Sequence, residues 1–161
     1  MTFADLIEVL EFSRQKTLAL LDNLAKQPNV PAILGWRPGP GRAPLAWQLM
    51  HIAATDDRHV HVRMTGGQPR EAELVRRFAG GSTPDDNVPT LDEIRRYLTT
   101  QRAEVLDYVK KLPASALDTK PTEQAPWTHR EWLKVLAWHE AHHQGQAHIT
   151  VNLYQAMHPK A

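Results

Sequence analysis

Four stretches of the chain repeat apolar side chains at three- and four-residue steps, the period of a single helical face. In the first, Phe3, Leu6, Ile7, Leu10, Ser13, Thr17, Leu20, Leu21 and Leu24 align and predict a helix from about Thr2 to Lys26. Thr2 can cap its start, and Pro28 and Pro31 stop it. Gly35, Pro38, Gly39, Pro40 and Gly41 mark residues 28–43 as loop. A second helix begins near Ala43–Pro44, since proline costs little in a first turn. It runs to about Met64, before Gly66–Gly67. Its first half, from Leu45 through Trp47, Leu49, Met50, Ile52, Ala53 and Ala54, is apolar nearly all round, which predicts deep burial.

Two further helices open with capping boxes, in which a Thr hydroxyl and a Glu carboxylate satisfy free N–H groups reciprocally. Thr90 with Glu93 starts a helix striped by Leu91, Ile94, Leu98, Val105, Leu106 and Val109 and ended by Pro113. Thr128 with Glu131 starts the last, running to about Ala156, with Trp132, Val135, Leu136, His139, His143 and Ala147 on one face. Between them, residues 66–89 hold a short helical pattern from Glu71 to Phe78 and a Gly80–Pro84 loop, and the pattern does not place this segment. No stretch alternates with the two-residue period of a strand. The expectation is all-α: a four-helix bundle forming one domain over residues 1–161.

The formal net charge is +1, and no Lys/Arg run exceeds two residues, so nothing marks a nucleic-acid partner. Cysteine is absent, which excludes disulfides, thiolate metal sites and thiol nucleophiles. A metal here would need His, carboxylate or water. The first residues lack the basic start and apolar core of a signal peptide, and no apolar run reaches membrane-spanning length. A cytoplasmic protein without a membrane partner is expected.

The chain has nine His and five Trp against three Tyr and three Phe. His139 and His143 sit one turn apart on the inward face of the last helix, a spacing that offers two imidazoles to one metal. Nine His produce such a pair readily by chance, so the pair alone decides little. More telling, His139, His142, His143 and His148 crowd into ten residues, and His51 lies on the buried half of the second helix. Buried imidazoles need partners. Metal ligation and ordinary core histidines remain as the two readings.

His139-Glu140-Ala141-His142-His143 also spells the HExxH pattern of zinc proteases. After His143 there is no Asp or Glu to supply a third ligand, and Gln146 stands where the longer pattern wants Gly. A ferritin-like di-iron site needs Glu-x-x-His on two helices and a Glu from each of the others. Glu140–His143 matches once, Asp56–His59 poorly, and Glu8, Glu11, Glu93 and Glu104 are the remaining candidates.

The run Trp138-His139-Glu140-Ala141-His142-His143-Gln144-Gly145-Gln146 resembles the His-x-x-x-His-x-Gly-Gln signature of the bacterial DinB/YfiT-like family of metalloenzymes. That family pairs it with a His on the second helix after a Gly- and Trp-containing loop, matched here by Gly35 to Trp47 followed by His51-Ile52. The usual Arg before Gly-Gln is Gln144 here, a departure touching a surface or dimer contact rather than the ligands. The resemblance implies an up–down–down–up bundle, often a homodimer. It implies one divalent ion (zinc, nickel or iron) on His51, His139 and His143, with open positions for water and substrate. It further implies a small-molecule substrate and a low-molecular-weight thiol cosubstrate such as bacillithiol, mycothiol or glutathione, hence an S-transferase or related hydrolase. The alternative is a non-catalytic metal-binding or partner-binding bundle.

Other residues complete the expectations. Gly145 should allow close helix packing beside the site. Trp36, Trp47, Trp127, Trp132 and Trp138 should be mostly core, with Trp47, one turn before His51, the best pocket-lining candidate. Glu140, turned about 100° from His139, should face solvent or a neighbouring helix. Gln146 or Asp57 could orient a ligand imidazole. His59, His61, His142, His148 and His158 read as solvated.

Overall fold

The computed structural model describes residues 1–159. Its long helices are α1 (Phe3–Ala25), α3 (Leu45–Asp57, continued by a π-helical segment, Arg58–Met64), α5 (Leu91–Lys110) and α6 (His129–Met157). Two short helices, α2 (Val30–Gly35) and α4 (Ala72–Phe78), and a 3-10 turn (Ala114–Asp118) lie in the connections. No strand occurs among the described residues.

The capping residues sit where sequence places them. Thr2, Thr90 and Thr128 each accept from the backbone N–H three residues on, and Asp5, Glu93 and Glu131 return the bond. Gly66 takes a positive φ of 73° just after the second long helix, a backbone shape that other residues adopt at a cost. The loop expected over residues 28–43 is interrupted by α2, in whose first turn Pro31 lies, so this proline starts a helix instead of stopping one.

Two apolar clusters define the helix directions. One gathers Leu20, Leu21 and Leu24 of α1, Leu45, Leu49 and Ile52 of α3, Ile94 and Leu98 of α5, and Ala147 and Val151 of α6. The other joins Leu6 and Leu10 of α1, Val60 and Met64 after α3, Val105 and Val109 of α5, and Trp132, Leu133 and Leu136 of α6. Thus α1 and α6 run one way and α3 and α5 the other: up, down, down, up. The connection from Thr65 to Thr90 is long because it must carry the chain back between two parallel helices.

Between the clusters lies a layer of buried charge, one residue from each long helix. Arg14 Nε donates to Glu140 Oε1 at 2.7 Å and its Nη2 to Asp56 Oδ2 at 3.0 Å. Arg102 Nη2 donates to Glu140 Oε2 at 2.5 Å and its Nε to Asp56 Oδ2 at 3.1 Å. Arg14 also donates to the Leu98 carbonyl and Arg102 to the Leu10 carbonyl. Burial would raise the Glu140 pKa, but the two guanidiniums hold it below the usual carboxylate range. All four residues are at most 5% exposed. Two positive and two negative groups cancel, which makes their burial tolerable.

On α3 the next residue, Asp57, is fully buried and anchors the crossover. Its carboxylate accepts from the backbone N–H groups of Arg70 (2.8 Å) and Glu71 (3.0 Å) and from the Tyr97 hydroxyl (3.1 Å). This fixes the start of α4 on the bundle. No helix among the described residues is long and apolar enough to cross a membrane.

Replacing Glu140 by Gln should leave an uncompensated positive charge in the layer. We expect a loss of about 3–5 kcal/mol in unfolding free energy, read from urea melts at neutral pH. A cost under about 1 kcal/mol would mean that the layer behaves like an exposed ion pair.

Candidate metal centre

Facing turns of α3 and α6, just beyond the charged layer, bring together His51, His139 and His143. One ligand nitrogen from each lies within 4.8 Å of the other two. The His51 and His139 Nε2 atoms are 3.1 Å apart, and the ring centroids of His139 and His143 are 4.4 Å apart. The i, i+4 spacing puts the α6 pair on one face, and the apolar surround of α3 carries His51 to the seam. His51 is 8% exposed, and the other two are half-buried.

The imidazoles are oriented from behind. His51 Nδ1 lies 2.6 Å from the Phe78 carbonyl oxygen. A carbonyl only accepts, so Nδ1 carries the hydrogen and Nε2 keeps its lone pair. Phe78 ends α4, where helical carbonyls lack partners within the helix, and His51 satisfies one of them. His143 Nδ1 lies 2.8 Å from Gln146 Oε1, while Gln146 Nε2 donates to His142 Nε2 at 2.9 Å. The same tautomer follows for His143. Thr55 Oγ1 is 3.4 Å from His139 Nε2. Trp47 stacks on His51 with 4.8 Å between centroids and 11° between planes.

Burial lowers the pKa of all three. It takes His139 to about 3, helped by repulsion from His143 and His51, and His143 to about 4, helped by His51. For His51 burial outweighs the opposing hydrogen bond to Phe78. At neutral pH the site therefore presents neutral imidazoles, the form that ligates a metal. Three neutral imidazoles that converge, two of them with the ligating nitrogen freed by a partner on the opposite ring nitrogen, fit a divalent cation.

The structure decides among the open readings and corrects some expectations. Glu140 points into the charged layer, towards α1 and α5, so it cannot serve a metal-bound water as the Glu of a zinc protease does. The di-iron set does not assemble either: Glu140 and Asp56 are held by arginines, and Glu8, Glu11 and Glu93 are exposed. Of the two residues considered for orienting an imidazole, Gln146 does so and Asp57 is engaged at α4. A Cβ at Gly145 would meet nothing within 4 Å, so this glycine does not serve packing within the bundle. Trp132 is core and Trp47 lines a cleft beside His143, whereas Trp127 and Trp138 are exposed.

Two further histidines are not solvated. His59 bonds the Thr55 carbonyl from Nδ1 at 2.7 Å, packs edge-on against Trp132, and has its pKa lowered by burial. His61 Nε2 is buried without a hydrogen-bond partner among the described residues, 4.0 Å from Asp57. The π-helical segment shifts the register after Asp57, which a regular helical period does not anticipate. The Phe78 carbonyl is likewise invisible to a side-chain motif.

A model of the DinB superfamily matches residues 9–147. The chain belongs to the DinB superfamily. The match runs from within α1 through most of α6 and includes all three clustered histidines of this DinB-superfamily chain. No curated protein matches it.

The depressed imidazole pKa values carry a sign for stability. Each folded value lies below the ordinary 6.5, so between that pH and about 3 the unfolded chain binds more protons. Stability is full above pH 6.5 and is lost as pH falls towards 3. The urea midpoint of chelator-treated protein should therefore decline from about pH 6.5 downward, and His139→Gln should flatten the decline. A profile flat to pH 5 in the unsubstituted protein would show that burial does not perturb these groups.

Proposed function

We propose that this chain is a divalent-metal-dependent enzyme whose ion, zinc, nickel or iron, is held by His51, His139 and His143. We propose further that it is a small-thiol-dependent S-transferase or a related hydrolase acting on a small molecule in the cytoplasm, without nucleic-acid or membrane partners. The observation that carries the reading is the convergence of three neutral imidazoles, two of them oriented from behind, at a cleft.

Bound there, the ion would act as a Lewis acid that favours the ionised form of a coordinated thiol or water. The chain's own groups have separate tasks. The Phe78 carbonyl and Gln146 hold the rings of His51 and His143 in the ligating tautomer. Trp47 covers one face of His51 and is itself fixed by donating from Nε1 towards the Arg77 carbonyl and Ser82 Oγ, each at 3.3 Å. The clustered donor set contains no carboxylate, so the ion's charge would stay undiminished and strongly polarising. The Thr55 hydroxyl, 3.4 Å from His139 Nε2, is a neutral group able to pass or accept a hydrogen bond at the cluster.

Elemental analysis of purified, tag-free protein tests the reading. We expect about one divalent ion per chain, abolished in His143→Ala and His51→Ala while the helical circular dichroism persists. No ion after reconstitution with zinc, nickel and iron would leave the non-catalytic bundle.

The homodimer is part of the same proposal. α6 exposes Trp138 (63%) and Ile149 (60%), with Gly145 between them on the same stripe. Light scattering should give a dimer mass that Trp138→Glu halves. A monomer mass for the unsubstituted chain would remove this element.

A further inference from the structure

Beside His143 a cleft of about 380 Å³ runs between the start of α3, the outer half of α6 and the loop before α3. That volume suits a small molecule. Its walls mix apolar surface, from Trp47, Ile149 and Leu153, with a few polar groups. One end is His143, whose Nδ1 is held from behind by Gln146.

The charge in this cleft is all of one sign. Arg42 is the single charged side chain among the lining residues, and no carboxylate lines it. Arg42 is exposed and forms no ion pair among the described residues. Nine other arginines do, Arg14, Arg37, Arg70 and Arg76 among them. A metal on three neutral imidazoles would add two further positive charges.

The wall also holds an unanswered acceptor. Gln48 is 8% exposed, and its Nε2 donates to the Ala43 carbonyl at 3.1 Å and to Thr150 Oγ1 at 3.2 Å. The carbonyl fixes the amide orientation, because it can only accept. Gln48 Oε1 is left buried with no hydrogen-bond partner among the described residues, a costly state.

We propose that the cleft binds a small molecule carrying two acidic groups: a metal-ligating head seated at the three-histidine cluster and a carboxylate tail paired with Arg42. The proposal rests on the metal reading given above and adds the class of ligand and the residue that selects it. Arg42 is a specificity determinant, since its planar fork matches a carboxylate and a neutral tail offers it nothing.

The test uses cobalt(II)-loaded full-length protein and two probes of equal length, mercaptohexanoate and mercaptohexanol. Binding is read from the sulfur-to-cobalt charge-transfer absorption, which requires no turnover. We expect the carboxylate probe to bind at least about tenfold more tightly. In Arg42→Gln the two probes should bind alike, with mercaptohexanol unchanged from the unsubstituted protein. Arg42 is exposed, so cobalt content and helicity should survive its substitution. Equal affinities in the unsubstituted protein would overturn the proposal, as would a preference that persists in Arg42→Gln. Absence of any cobalt spectrum would instead sink the metal reading, and the ligand class would fall with it.

Discussion

The four buried charges of Arg14, Asp56, Arg102 and Glu140 set the constraint on which the rest of the bundle depends. Each comes from a different long helix, and each guanidinium contacts both carboxylates. Removing such groups from water costs several kcal/mol per ion, recovered only when geometry is good. Apolar clusters alone tolerate small slides and rotations of one helix on another. A closed ring of directional bonds does not: shifting a helix by one residue would bury a charge without its partner. Well-packed apolar residues at all four positions could equal this layer in stability. The layer's contribution is therefore best understood as fixing one register and one rotation for all four helices.

The histidine cluster inherits that register. Glu140 turns α6 so that its own carboxylate meets Arg14 and Arg102, which leaves His139, a third of a turn away, facing α3. On α3, three consecutive residues divide the work. Thr55 reaches His139, Asp56 enters the charged layer, and Asp57 clamps the backbone N–H groups of Arg70 and Glu71 that lead into α4. α4 in turn delivers the Phe78 carbonyl that sets the tautomer of His51. The imidazoles are thus positioned through two independent routes, the layer for the α6 pair and the crossover for His51. Both converge on a rigid seam, where a ligating constellation is best held.

What the sequence reveals divides along the same lines. The two capping boxes, the Thr2 cap, the apolar stripes and the i, i+4 pair His139/His143 are local patterns, and the structure contains them as read, adding Asp5 to make the Thr2 cap a third box. The charged layer is not local. Its trace was available, since Arg14 interrupts the stripe Leu10, Thr17, Leu21 and Arg102 interrupts Leu98, Val105. Which carboxylates answer those arginines depends on packing across four helices. The HExxH spelling misleads for a related reason: letters adjacent in sequence point about 100° apart on a helix, so His139 and Glu140 serve different neighbours. α2 was hidden because proline and glycine content marks the ends of elements better than it excludes short ones, and the π-helical segment because a regular helical period does not anticipate a shift of register.

The electrostatics of the two buried sites are complementary. The layer is internally neutral, two cations against two anions, so it projects little field onto the histidines next to it. The histidine cluster contains no acid of its own. In bundles that hold metals with four carboxylates, the protein neutralises the ions and the site becomes indifferent to the charge of what approaches. Here the acids near the seam among the described residues are committed elsewhere, Glu140 and Asp56 to arginines and Asp57 to backbone N–H groups. A cation on His51, His139 and His143 would find no compensating charge in the protein. With low dielectric on the bundle side and a cleft lined by Arg42 on the other, its field would be felt most along the path a ligand takes. The same separation of charges that makes the core self-sufficient would leave the charge of such a cation to be balanced from outside, by an anion.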